Sequence, residues 1–399
     1  MTWPNVFVAA GYSLSATDAL PAIGAAGWTT LSNVESIRVQ TPRRDKWADK
    51  FQPGRMTVVA DNSARQLDPF ASGSGLRPRL PMRAYVDAGS LGLGGRALFT
   101  GYLDSAEPIR EYPDNSTTVL TSTDGMRLLT RQGFSDTSFP AQGTAARISA
   151  LLDAADWASA DRDIGAGASI LAATTIATEA RAWAELDRVR DHEHGVLHFD
   201  PMGAVKFRGR VWPYTSTVWT FTDTGAGYEF VSTAESMDED RLLNSATMAL
   251  ASNPTNTVHA HDSTSMALYG KIETVQTDWQ YEALSELADW PAIVVSIGKG
   301  ATKRLTSITL DPTHDDALWT PILTAEVGQR VSVTVTPPGG GSAIVRTGFI
   351  DGMAHDMRQV GSTAGTWRTV WQLSDATDWP TWTSALYDSA VYDSDAYFY

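Results

Sequence analysis

Hydrophobic and polar residues alternate along much of the first third of the chain. The pattern is seen in Ser36–Thr41, in Arg55–Ala60, and on both sides of the glycine-rich turn Gly89–Gly95. Alternation with a period of two places successive side chains on opposite faces of a strand. Further strands are predicted at Met82–Val86, Arg96–Asp104 and Thr117–Thr123.

The middle of the chain changes to a helical period. After Thr144, apolar residues recur at i, i+3, i+4 and i+7, which predicts a helix that begins there. A second helix is predicted from about 178 to 191. The segment Gly195–Arg210 then predicts a hairpin that turns at Asp200–Gly203.

A third helix is predicted near 277–290. Thr277–Gln280 has the spacing of a capping box, in which a threonine is followed three residues later by a glutamine. The helix is expected to end at Trp290, because proline follows it. Strands are predicted to dominate from there to about Leu373.

A five-residue motif occurs twice. Thr100–Asp104 reads Thr-Gly-Tyr-Leu-Asp and Thr347–Asp351 reads Thr-Gly-Phe-Ile-Asp. Each copy follows an alternating strand and a glycine-rich turn, and each precedes Thr-Val with an aspartate five residues after the valine. Three features in the same order predict one duplicated β-unit, although any two hairpins share some likeness. The features are Met82–Val86, Gly89–Gly95, Thr118–Val119 and Asp124 in one copy, and Val331–Val335, Gly339–Gly341, Thr369–Val370 and Asp375 in the other.

Composition and charge narrow the function. The 399 residues suffice for two or three domains, and no apolar stretch has the ~18–20 residues of a membrane-spanning helix. The absence of cysteine excludes disulfides, thiolate zinc ligands and thiol nucleophiles. A net charge of −15 argues against a protein that grips phosphate backbones, although DNA can still pass close to it.

Two β-units around an α/β segment resemble, in their order, the baseplate hub or minor tail proteins of siphophages, especially those of actinobacterial hosts. That family is in turn similar to the tube-type hub proteins of contractile phages. One segment departs from the resemblance, because Asp191–His194 stands where a blander sequence is expected. The matching pieces are Trp28–Leu31, Phe51–Asn62, Leu67–Phe70, Arg77–Pro81, Gly195–Arg210, Asn244, Asp262–Ser265 and Tyr269–Gly270.

The resemblance implies a mainly β fold with an α+β insertion, in which two tube-like β-barrel or sandwich domains flank a smaller α/β segment. The expected domains are 1–136, 137–240 and 241–378, followed by an acidic, aromatic tail at 379–399. It further implies a virion protein of the tail tip, made in the host cytoplasm, that forms a homotrimeric ring. The implied partners are the distal tail protein, the tape measure protein and a central fibre or receptor-binding protein, with phage DNA as transient cargo.

Histidine and carboxylate clusters are the candidates for site chemistry. His192 and His194, like His259 and His261, have the i, i+2 spacing that puts two imidazoles on one face of a strand, as a zinc site needs. Nothing in the sequence brings the two pairs together, so surface or turn positions are favoured for them. Clustered acids are candidates for glycan hydrolysis, but no apolar setting is evident that would raise a carboxyl pKa. These acids are Asp238, Glu239, Asp240, Asp315 and Asp316.

Motifs for nucleophilic catalysis or phosphate binding do not occur in the sequence. We therefore expect a non-enzymatic structural protein, with no catalytic, cofactor-binding or metal-binding residues. Two alternatives stay open: a tail-associated hydrolase of cell-wall glycan, and a carbohydrate-binding receptor protein. The last segment, Tyr387–Tyr399, alternates tyrosine with aspartate and serine, and it is expected either to dock on its own barrel or to contact another tail component.

Overall fold

A computed structural model describes residues 3–42, 51–111, 115–212, 216–225, 227–237, 239, 241–313, 315–358 and 365–376. The expected acidic tail at 379–399 lies outside these residues. Within them, no helix is long and apolar enough to cross a lipid bilayer.

Apart from a short 3₁₀ turn at Gly89–Leu91, the regular elements of the first part of the chain are strands. They are β1 (Asn5–Ala10), β2 (Thr29–Thr30), β3 (Val34–Gln40), β4 (Arg55–Asp61), β5 (Pro81–Ala88), β6 (Gly94–Glu111) and β7 (Asn115–Thr123). The predicted alternation is confirmed, since Ile37 and Val39 of β3 are buried while Arg38 and Gln40 are exposed.

The middle part mixes short strands with helices. The elements are α1 (Met126–Arg131), β8 (Thr137–Phe139), β9 (Gln142–Gly143), α2 (Thr144–Ala154), β10 (Arg162–Ile164), β11 (Ile170–Leu171), β12 (Thr174–Ile176), α3 (Ala182–Glu193), β13 (Val196–Phe199) and β14 (Val205–Arg208). The predicted helix start at Thr144 and the predicted hairpin are both confirmed, because β13 pairs antiparallel with β14. The second helix begins later than expected, at Ala182.

The last part returns to strands. Its elements are β15 (Val218–Thr222), β16 (Ser232–Ser236), β17 (Ser245–Leu250), β18 (Asn253–His261), α4 (Ser263–Tyr269), β19 (Glu273–Trp279), α5 (Trp290–Gly298), β20 (Arg304–Leu310), α6 (Trp319–Thr324), β21 (Arg330–Val335), β22 (Ile344–Arg358) and β23 (Thr366–Asp375). The fold is therefore mainly β with an α+β insertion between two β-rich parts, as predicted.

The helix predicted near 277–290 is wrong. Thr277 lies in β19, which pairs in parallel with β17, and the helix α5 begins at Trp290, where the predicted one was to end. Pro291 occupies the first turn of α5, where a proline loses no hydrogen bond because the first N–H groups of a helix have no partner within it. Pro291 therefore marks the start of a helix and not the end of one.

One large sheet contains strands from both ends of the chain. Its main path runs β16-β20-β23-β22-β3-β4-β7-β6-β5-β1-β2, with β21 on β22 and β15 on β21. Among the described residues, the pairing of β22 with β3 is the only direct strand contact that this path makes between the first and last parts. A separate three-stranded sheet, β18-β17-β19, packs against α5.

Candidate functional site

The two copies of the repeated motif occupy the same structural position. Gly101 lies in β6 near the end of its pairing with β5. Gly348 lies in β22 near the end of its pairing with β21. Three residues after each glycine, the pairing with the next strand is interrupted by a β-bulge. The residue that each bulge skips is the motif's aspartate, Asp104 in one copy and Asp351 in the other.

Strand order and register also agree between the copies. The first copy has the order β3-β4-β7-β6-β5 and the second has β16-β20-β23-β22-β21, with corresponding strands in the same chain order. The corresponding pairs are Tyr102–Thr123 and Phe349–Ser374 before the bulge, and Glu111–Asn115 and Arg358–Thr366 at the far end. These pairings confirm the predicted duplication at the level of strand order and register.

The glycine of each motif is required by the close approach of the next strand. A Cβ added at Gly348 would lie 2.6 Å from the carbonyl oxygen of Ser374, and one at Gly101 would collide in the same way with that of Thr123. Both neighbours are backbone atoms of the paired strand, so they cannot swing aside. The motif is therefore a backbone feature of the repeated unit.

Two aspartates near the first motif, Asp104 and Asp124, form hydrogen bonds and an ion pair at the end of β7. Asp104 accepts a hydrogen bond from the Thr123 hydroxyl and forms an ion pair with Arg127. Asp124 is buried and accepts hydrogen bonds from the backbone N–H of Gly54 (2.6 Å) and of Met126 (3.0 Å). Burial raises the pKa of Asp124 to about 7 in spite of these bonds.

The two units meet through the second half of β22. Residues 354–358 of that strand pair with residues 36–40 of β3, and Arg38 and Asp356 form a cross-strand ion pair of 2.7 Å. In the first unit, the corresponding half of β6 has no strand on that side among the described residues. The strand that corresponds to β3 in the second unit is β16, and within the described chain it pairs only with β20.

His192 is buried, which corrects the expectation of a surface position. Its Nε2 accepts a hydrogen bond from the backbone N–H of Gln280 (2.5 Å), and its Nδ1 contacts the carbonyl oxygen of Arg188 (2.5 Å). Both ring nitrogens are thus engaged, and neither is available to a metal. Burial lowers the pKa of His192 to about 4. The ring lies edge-on to Trp279 and Tyr281, so it joins α3 to the segment that follows β19.

The other histidines do not complete a metal site. His194 ends α3 in the left-handed conformation, is partly buried, and stacks on Trp290 with ring centroids 3.3 Å apart. His259 and His261 are exposed on β18, as expected for surface residues. Among the residues that the structure describes, no group of three or more histidine, aspartate or glutamate side chains is placed to hold a metal ion.

Three of the five candidate acids lie in the described part of the chain. Glu239 and Asp316 are exposed, and Asp315 accepts a hydrogen bond from the backbone N–H of Ala317 (2.9 Å), where it caps a short 3₁₀ turn. Asp238 and Asp240 lie outside the described residues. A cavity of about 340 Å³ between the ends of α1 and α2 is lined by other residues, among them Arg79 and Asp161.

A buried carboxylate that sequence reasoning did not single out organises the middle part. Glu193 accepts hydrogen bonds from the Thr144 hydroxyl (2.8 Å), from the backbone N–H of Ala168 (3.0 Å) and Ser169 (2.9 Å), and from Nε of Arg210 (3.1 Å). It therefore ties α3 to the start of α2 and to the end of the β13–β14 hairpin. Glu193 belongs to the segment Asp191–His194 that departed from the family resemblance, and the only sequence signal was that departure.

Comparison with solved structures identifies the fold. The tail protein from Neisseria meningitidis MC58 matches with a TM-score of 0.61 at 14% identity, over 94% of this chain and 98% of that one. The 43 kDa prophage tail protein from Shewanella oneidensis matches with a TM-score of 0.56 at 12% identity, over 93% and 96%.

A type VI secretion system component of Escherichia coli, described as similar to T4 bacteriophage tail proteins, matches at 10% identity. Its TM-score is 0.50, over 92% of this chain and 80% of that one. No protein-family model and no curated protein matches the chain. Because the two tail proteins match over nearly their whole length, this chain has the fold of phage tail proteins.

Proposed function

We propose that this protein is a structural component of a phage virion, the tail-tip or baseplate hub, and that it closes the distal end of the tail tube as a homotrimer. The observation that carries the proposal is the repeated five-stranded unit with its conserved order, register and bulge. It is supported by a fold shared with phage tail proteins over more than nine-tenths of the chain.

The repeat gives the trimer a specific task. Three chains that each contain two similar units make a ring of six similar units, and such a ring can meet a six-fold tube on one side. The rest of each chain is present only once per copy, so the same ring offers three-fold symmetry to a central tip or fibre. We propose that the protein adapts one symmetry to the other.

Its neighbours would be the distal tail protein, the tape measure protein and a central fibre or receptor-binding protein. Phage DNA would pass through the ring without being held, because each copy carries a formal charge of −15. Negative charge on the wall of such a channel would repel the phosphate backbone.

We propose no enzymatic activity. The described candidate acids are exposed or bonded to backbone N–H groups, which is the setting of solvated or capping carboxylates.

Oligomeric mass and location test the proposal together. Mass photometry of the purified full-length chain should give three times the monomer mass of 43.1 kDa. Electron microscopy of virions labelled with an antibody against the chain should show the label at the tip of the tail. A monomer at every concentration, or label along the tube or on the capsid, would contradict the hub.

A further inference from the structure

The open edges of β6 and β16 are the two places where the repeat is unfinished. In the described chain the second half of β22 is paired with β3, whereas the second half of β6 and the outer edge of β16 have no strand beside them. Since β6 corresponds to β22 and β16 corresponds to β3, a second copy of the chain can complete the same junction. Resting on the proposed trimer, we propose that β6 of one copy pairs antiparallel with β16 of the next.

The junction within the chain gives the register of the junction between copies. Asp356 pairs with Arg38 across β22 and β3. On β6, Ile109 lies as many residues after Gly101 as Asp356 lies after Gly348 on β22. On β16, Ala234 takes the place of Arg38, because the pairings of β16 with β20 match those of β3 with β4. Ile109 should therefore lie opposite Ala234 of the neighbouring copy.

Backbone direction agrees with this register. In β22, the N–H and carbonyl groups of Met353 point toward β3, because both bond to Thr41. Because backbone groups alternate in direction along a strand, the N–H and carbonyl groups of His355 and Met357 also point toward β3. The corresponding residues of β6, Ala106 and Arg110 among them, thus direct their backbone groups to the open edge. On β16, the Ala234 carbonyl accepts a hydrogen bond from the Thr306 hydroxyl of β20 and so points toward β20. The backbone groups of the adjacent residues, Thr233 and Glu235, then point to the open edge of β16.

Exposed apolar side chains mark the same two edges. Ile109 is 48% exposed on β6, and Val231 and Met237 at the two ends of β16 are 53% and 62% exposed. In the proposed pairing Ile109 contacts Ala234, so an apolar pair replaces the Arg38–Asp356 ion pair of the internal junction. Exposed apolar side chains on open strand edges mark surfaces that become covered in an assembly.

Pro108 makes the β6 edge selective. It stands where β22 has His355, and its nitrogen carries no hydrogen, so the centre of the edge lacks a donor. Opposite β16 this costs a single hydrogen bond, the one to the carbonyl of Glu235. Two β6 edges placed against each other would lose a donor on both strands, which disfavours that pairing. The contact is heterologous and closes into a ring when its rotation matches that of the β22–β3 junction.

Cysteine cross-linking tests the pairing cleanly because the chain has no cysteine of its own. The full-length double variant Ile109→Cys, Ala234→Cys places the two thiols on a pair that does not exchange hydrogen bonds, where the Cα separation of about 4.5 Å suits a disulfide. The matched control is Ile109→Cys, Thr233→Cys, since adjacent strand residues point to opposite faces.

After mild oxidation, the double variant should form covalent dimers and trimers on a non-reducing denaturing gel, with the trimer as the largest product. The control should remain at least tenfold less cross-linked. If the control cross-links equally, or if neither does while the wild type is a trimer, the β6–β16 pairing is wrong and the hub proposal stands. Ladders that extend beyond the trimer would refute ring closure. A wild type that is monomeric at all concentrations would overturn both proposals.

Discussion

His355 provides a sharp test of how the second unit is held together. It is buried in β22, its Nδ1 lies 3.0 Å from the hydroxyl of Thr369, and its ring is edge-on to Trp367. Trp367 Nε1 donates to the same hydroxyl, which leaves the hydroxyl proton available to Nδ1 of a neutral imidazole. Burial lowers the pKa of His355 to about 4. We therefore expect acid to destabilise the fold through this residue.

The size of the effect follows from proton linkage. A folded-state pKa below the unfolded value of 6.5 means that the unfolded chain takes up the proton first as the pH falls. The stability that neutral His355 contributes is thus complete above pH 6.5 and is lost between pH 6.5 and about 4. At about 1.4 kcal/mol for each pH unit, that interval amounts to about 3 kcal/mol.

The assay is urea unfolding followed by tryptophan fluorescence at several pH values between 7.5 and 4. The variant His355→Asn keeps a polar group near Thr369 but cannot titrate, so its unfolding free energy should fall by about 3 kcal/mol less over this range. His259→Asn, on the exposed strand β18, should follow the wild type. Equal pH dependence in His355→Asn and in the wild type would refute the reasoning.

Three further outcomes are expected. Gly348→Ala should lower the free energy of unfolding in urea by about 1–3 kcal/mol, because the added Cβ would meet the Ser374 carbonyl. Gly300→Ala, which has open space around it, should be close to neutral, and equal effects of the two changes would count against the close approach. Glu193→Gln should cost about 3 kcal/mol, since it breaks a buried ion pair with Arg210, and a melting temperature equal to that of the wild type would show that the bond network is dispensable. A zymogram on host cell walls should show no clearing by the wild type, and clearing that Glu239→Ala or Asp315→Ala abolishes would favour the hydrolase.

The strands and the repeat could be predicted because their cause is local. Strand β3 has one face against the core, and burial of Ile37 and Val39 leaves a period of two in the sequence. The motif glycines were visible because a backbone collision admits no other residue at Gly101 or Gly348. Such constraints act within one strand and its paired neighbour, so they leave a pattern that a single sequence displays.

The errors have a non-local cause. Thr277–Gln280 has capping-box spacing, but the segment pairs in parallel with β17, a strand about thirty residues earlier in the chain. A surface or turn position is expected for His192, but it is buried near the end of α3, and its Nε2 is bonded to the backbone of Gln280. In both cases a distant part of the chain supplies the partner, and nothing near the residue in sequence indicates it.

The internal junction also bears on why the chain contains the unit twice. A single unit with one open edge of each kind would associate with copies of itself through one junction, and any change in that junction would alter all contacts of the ring together. In this chain the β22–β3 junction lies within one copy and includes the Arg38–Asp356 ion pair, while the proposed second junction, β6–β16, has Ile109, Ala234 and the donor-free Pro108 in its place. The two junctions can therefore differ in strength. In the proposed six-unit ring, the internal junctions supply three of the six junctions before any copies meet, so three chains and not six have to associate. Because Pro108 supplies no donor, the proposed junction between copies has one backbone hydrogen bond fewer than β22–β3 can form at the position of His355.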